Sequence, residues 1–219
     1  MEGNNISSQG TDVFVDHVEH SIGGFGGHAF RRITHVSMAI IPYLYYEHGE
    51  SISSIFSLGP QQFVSFICLL ILAIEAIRLK TGIVIIGQRE YESSQVSALA
   101  WGALAVSLAL LISPNGGKSG MDAGVYGAPL VMGMTIVDPV MGEVKRIKKD
   151  MRLAIIAGLA ASYTVWFGCH FWLGTELIVA TLLAPLTVAG EIPSNKLIDD
   201  NATMVLIPLC ALVILMPFL

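Results

Sequence analysis

Charged residues stand in short clusters along this chain, and between the clusters run apolar stretches of about 20 residues, the length of a membrane-crossing helix. Only 13% of the 219 residues are charged and 53% are hydrophobic, whereas roughly a quarter of a soluble domain is charged. A transmembrane barrel would alternate apolar and polar residues. The run FVSFICLLILAIEAI (63–77) does not. The pattern predicts an all-α fold, a polytopic transmembrane helix bundle of about seven spans.

Those spans are expected at 33–46, 63–79, 96–112, 125–141, 153–172, 177–189 and 202–219. Pro42 and Pro185 mark the first and sixth as short and bent. Residues 1–30 form a polar N-terminal segment without the apolar core of a signal peptide. Within it, DVFVDHVEHSI (12–22) has the spacing of an interfacial amphipathic helix, with Phe14, Val18 and Ile22 on one face. The glycine-rich stretch 23–27 reads as a flexible joint. Residues 31–219 are then one transmembrane catalytic domain. Cys68, Cys169 and Cys210 lie in apolar segments without metal-ligand spacing, as buried thiols do.

The cations orient the bundle. With the N-terminus cytoplasmic, 11 of the 12 Lys and Arg residues fall on the inner side and Lys118 alone falls outside, as the positive-inside rule requires. The C-terminus is therefore expected outside, and the membrane is a plasma membrane or one of the endoplasmic-reticulum type.

On the inner side the span ends carry Arg32 and His35, Glu75 and Arg78, Arg89 and Glu92, Asp138 and Gly142, the basic run VKRIKK (144–149), Glu191, and Asp199-Asp200-Asn201. Ionisable residues at span ends are candidate functional groups, yet each has a plainer reading. Glu75 and Arg78 have the i, i+3 spacing of a helical ion pair. Asp138 precedes Pro139 and suits a helix-end turn, and VKRIKK suits a topology signal against anionic lipid. Asp200 or Asn201 would cap a helix. One cap needs one residue, however, and two adjacent acids repel unless a cation joins them. Acids that hold Mg²⁺ beside Lys and Arg that hold phosphate oxygens suit phosphoryl or nucleotidyl transfer. PNGGKSG (114–120) lacks the first glycine and the preceding strand of a phosphate-binding loop, and is read as a turn.

RRITH (31–35), EAIR (75–78), RxxE (89–92), DPVMG (138–142) and GEIPSNKLIDDN (190–201) occur in that order. Together they resemble the CTP-dependent lipid-alcohol kinases, the dolichol, phytol and related polyprenol kinases with the yeast-type diacylglycerol kinase. The resemblance implies phosphoryl transfer from CTP to a long isoprenoid alcohol such as dolichol, phytol or geranylgeraniol, with Mg²⁺, on the cytosolic face. It implies a catalytic set of Asp138, Glu191, Asp199 and Asp200, of which Glu191, Asp199 and Asp200 hold the metal. Arg32, His35, Arg78, Gly142, Lys145, Lys148, Lys149 and Asn201 are the expected nucleotide contacts. The family's Lys-Ser/Thr-x-Glu-Gly-Ser stretch is replaced here by VKRIKKDMRLAIIAG (144–158), which leaves the nucleotide open between CTP and ATP. The expected partners are the lipid alcohol, the nucleoside triphosphate and membrane lipid, with room for a homo-oligomer and no part for nucleic acid. Two other readings stay open: a CDP-lipid synthase, and a transporter or non-catalytic descendant. The latter fits less well, since a transporter places its ionisable residues near the midplane.

Overall fold

The computed structural model describes residues 22–192 and 198–218, with positions 90 and 91 described through their backbone only. Most of the stretch expected as an interfacial helix, and Lys196, lie outside those residues. The described chain forms eight α-helices: α1 (Gly24–Ser37), α2 (Ile41–Ser54), α3 (Pro60–Thr81), α4 (Ala98–Ile112), α5 (Gly127–Lys148), α6 (Met151–Leu173), α7 (Leu177–Glu191) and α8 (Asp200–Leu215). A short 3-10 turn, Met38–Ile40, joins α1 to α2, so the eight make seven rods.

Local chemistry sets the ends. Gly59 is extended and Pro60 opens α3, where the fixed φ of proline suits the first turn. Gly82, with φ 67°, stops that helix in the left-handed region. Ser97 caps α4 by accepting from the Ala100 amide (3.2 Å). Asp150 caps α6 by accepting from the amides of Arg152 (2.7 Å) and Leu153 (3.3 Å).

Helix α5 lies at the centre, packed against α1, α4, α6, α7 and α8. Its buried residues Leu130, Val131, Met134, Val137 and Met141 meet Trp166, Leu183, Val205 and Leu212 in the main core. Helices α3 and α6 and the stretch Asp200–Phe218 are long and apolar enough to cross a bilayer, while α4 and α7 are apolar but shorter. On α3, Phe66, Leu69, Leu70, Ile74 and Ile77 all face outward. In water such a face would be an aggregation liability. In lipid it is simply the solvated side, and together with the three long helices it makes this a membrane protein.

Three sequence expectations need correction. The glycine stretch 23–27 is no flexible joint: Gly23 (φ 91°) starts α1 and the rest form its first turn. Backbone pairing explains this, because the Gly87 amide donates to the Ile22 carbonyl (3.0 Å) and the Ile22 amide to that of Gln88 (2.9 Å). Gly27 must be small there, since a Cβ would sit 2.0 Å from the Ile22 oxygen. Second, the first expected span is the middle of a longer bent rod. Third, Asp138 and Pro139 do not end a helix. Pro139 lies inside α5, which runs on to Lys148. Buried packing on both sides of the proline outweighs the one backbone hydrogen bond that its ring removes.

Candidate functional site

Rods that run back and forth bring four polar junctions to one end of the bundle: the start of α1, the α3–α4 connection, the end of α5 and the α7–α8 connection. Asp138 from α5, Glu191 from the last turn of α7 and Asp200 from the first turn of α8 meet there. One carboxylate oxygen from each lies within 4.8 Å of the others. The approach of α7 to α8 makes this possible. A Cβ on Gly190 would sit 2.5 Å from the Met204 Cα, and the Thr203 hydroxyl donates to the Gly190 carbonyl at 2.5 Å.

Around the acids the polar contacts are specific. Lys145 Nζ donates to Glu191 Oε1 at 2.6 Å. His35 Nε2 lies 3.4 Å from Asp138 Oδ2 and 3.3 Å from the Met134 carbonyl. Both of those atoms are acceptors, so a hydrogen bond to either requires a proton on Nε2. Glu191 is 7% exposed and Asn201 5%. Even so, Glu191 Oε2 and Asn201 Oδ1 are buried without a hydrogen-bond partner among the described residues. Orphaned buried acceptors are uncommon and call for an occupant. Hard oxygen donors from three carboxylates fit a divalent cation such as Mg²⁺.

The sequence places the expected metal on Asp199, Asp200 and Glu191, while the carboxylate oxygens that converge come from Asp138, Glu191 and Asp200. Asp199 is the N-cap of α8 and accepts from the Asn201 amide (3.1 Å), so the role first considered for Asp200 or Asn201 belongs to it. Burial, and then the adjacent Asp200, push the Asp199 carboxyl up to about 8. Asp138, expected in the catalytic set but not on the metal, is the third of the converging acids.

The expected nucleotide contacts divide. The guanidinium of Arg32 lies over Gly142, where a Cβ would be 2.5 Å from Nη2. Lys145, His35 and Asn201 border the acids. Lys148 and Lys149 stand on the exposed end of α5. Arg78 is elsewhere. Its Nε and Nη2 donate to Glu75 (2.9 and 2.8 Å), and its remaining hydrogens to the carbonyls of Ile83 (3.1 Å), Glu92 (2.7 Å) and Gln95 (2.7 Å). All five donors are used, leaving none for a phosphate. Arg78 is a latch that folds the α3–α4 connection onto the end of α3.

Two features escaped the sequence. Glu92, 2% exposed, receives Arg31 at 2.9 Å and the amides of Arg89 (3.0 Å) and Ala98 (3.3 Å), tying α1 to the α3–α4 connection. His28 joins Arg32 beside the end of α5. Their i, i+4 spacing, continued to His35, was the available signal. No protein-family model, curated protein or solved structure matches the chain.

Proposed function

We propose that this protein is an integral-membrane lipid-alcohol kinase that moves a phosphoryl group from a nucleoside triphosphate, CTP in the first instance, to a long isoprenoid alcohol. The observation that carries the reading is the meeting of Asp138, Glu191 and Asp200 beside Lys145, with Glu191 Oε2 left unbonded among the described residues. Those three acids would hold Mg²⁺, which supplies charge neutralisation to the phosphates in such transfers. Lys145 donates to Glu191 next to the place where phosphate charge would develop. His35 Nε2 stands 3.4 Å from Asp138 Oδ2 and borders that carboxylate on one side. Asn201 offers beside the acids a side-chain oxygen that has no partner among the described residues. Outward apolar helices let a lipid alcohol approach laterally. In this reading the seven rods are seven crossings, with the N-terminus and the acidic end cytoplasmic, where nucleotides are, and the C-terminus outside.

The test uses purified full-length protein with labelled CTP or ATP and a panel of prenols, with Mg²⁺ or with EDTA. A phosphorylated prenol that forms with Mg²⁺ and not with EDTA is the expected result. A CDP-lipid with released pyrophosphate would replace the kinase by a cytidylyltransferase, and the absence of any product across the panel would reject catalysis of this class.

A further inference from the structure

Between α1 and α5, at the same end of the bundle, lies an open cleft of about 390 Å³. Small-molecule sites run from roughly 300 to 1,000 Å³, so the cleft is large enough for one. Phe25, Ala29 and Pro139 form its apolar wall, and His28, Arg32, Glu143 and Arg146 its polar one. The balance of charge favours an anion. Glu143, the one acid in the lining, is engaged by Arg146 through Nε (3.1 Å) and Nη2. This bond braces the Arg146 guanidinium at the cleft and holds the Glu143 carboxyl below its ordinary range. Arg32 is set in place by Gly142, since any side chain there would strike the guanidinium. Burial, and next Arg32, lower the His28 imidazole below its usual value, with Glu143 acting the other way. The histidine stands in the polar wall beside both arginines.

We propose that this cleft binds a phosphate-bearing ligand, with Arg32 and Arg146 on the phosphate and Phe25, Ala29 and Pro139 against its uncharged part. The Arg32 guanidinium can match phosphate oxygens in a pair. Arg146, whose Nε and Nη2 are taken by Glu143, adds its charge, and an apolar wall beside them gives the non-ionic portion somewhere to pack. None of the three acids lines the cleft, although Pro139 in its wall directly follows Asp138, and the cleft stands whether or not the acids transfer phosphate. The phosphate can arrive on a soluble molecule or on an anionic lipid headgroup, since the cleft is open.

Full-length protein in phosphatidylcholine nanodiscs, with EDTA present, is titrated with labelled pyrophosphate. A second set of discs contains phosphatidylglycerol, and its retention through delipidation is measured. Saturable pyrophosphate binding is expected, weakened about tenfold or more by Arg32→Gln and by Arg146→Gln, the loss of one charge-assisted contact. Asp200→Asn should not weaken it, which separates this site from the acidic one. Arg146 is on an exposed face, so Arg146→Gln decides the matter if Arg32→Gln lowers the melting temperature. If pyrophosphate does not bind but wild-type protein retains phosphatidylglycerol and Arg146→Gln does not, the phosphate is a lipid headgroup's. Binding that is indifferent to both substitutions, or neither pyrophosphate binding nor substitution-sensitive lipid retention, overturns the proposal.

Discussion

A helix cap is satisfied by a carboxylate or an amide oxygen alike, because either accepts from the same backbone N–H. Asp199 makes that contact with the Asn201 amide, so Asp199→Asn should leave both fold and Mg²⁺-dependent prenol phosphorylation near normal. Asp199→Ala should cost about 1 kcal/mol of stability. A carboxylate that holds a cation has no such substitute. Asp200→Asn and Asp138→Asn are each expected to lower turnover about 100-fold or more while the melting temperature holds or rises, since repulsion among the acids is relieved. If Asp199→Asn were the inactive variant and Asp138→Asn the active one, the three acids would be wrongly assigned. The sequence showed the right residue types at this end of the bundle but not their pairing. Asp199 and Asp200 look equivalent in one dimension, and both accept from the Asn201 amide (3.1 and 3.0 Å); only Asp200 also brings an oxygen to Asp138 and Glu191 on two other helices.

Helix contacts place those acids, and two of them can be broken singly. Gly190 lets α7 approach α8 to backbone contact, so Gly190→Ala must separate the helices one residue from Glu191. A cost of roughly 1–3 kcal/mol is expected from overpacking, read as a lower unfolding midpoint in detergent, with turnover falling further than stability alone explains. Arg78→Ala would leave Glu75 buried and unpaired, at roughly 3–5 kcal/mol, and should expose the α3–α4 connection to protease. Unchanged stability in that variant would mean the latch is ornamental. At this scale the sequence was legible where apolar length and capping agreed, as in α3, α6 and α7. It failed where a residue's local preference lost to packing. Pro139 reads as a stop yet sits inside α5, and the glycines at 23–27 read as slack yet are held by the backbone at 87–88. The Arg78 latch was half visible: spacing showed Glu75, but the three carbonyl acceptors come from a connection without a periodic signal.

Across the whole molecule the two ends differ in kind. One gathers Arg31 on Glu92, Arg78 on Glu75 and Lys145 on Glu191. The other is fastened by acids on neutral groups, Glu47 accepting from the Met121 amide (3.0 Å) and Glu176 from the Tyr126 hydroxyl (2.6 Å), with Lys118 close to Gly174. The folded bundle thus reproduces the segregation of cations seen along the chain, and the cationic end is the one that the proposed reading puts in the cytoplasm. Labelling in intact cells tests this directly, in a background where Cys68, Cys169 and Cys210 are replaced. A cysteine in place of Lys118 should react with an impermeant thiol reagent. One in place of Lys148, which is exposed at the end of α5, should react only after the membrane is permeabilised. The reverse pattern would put Asp138, Glu191 and Asp200 on the outer side, away from cytosolic nucleoside triphosphates, and the kinase reading would fall with the orientation.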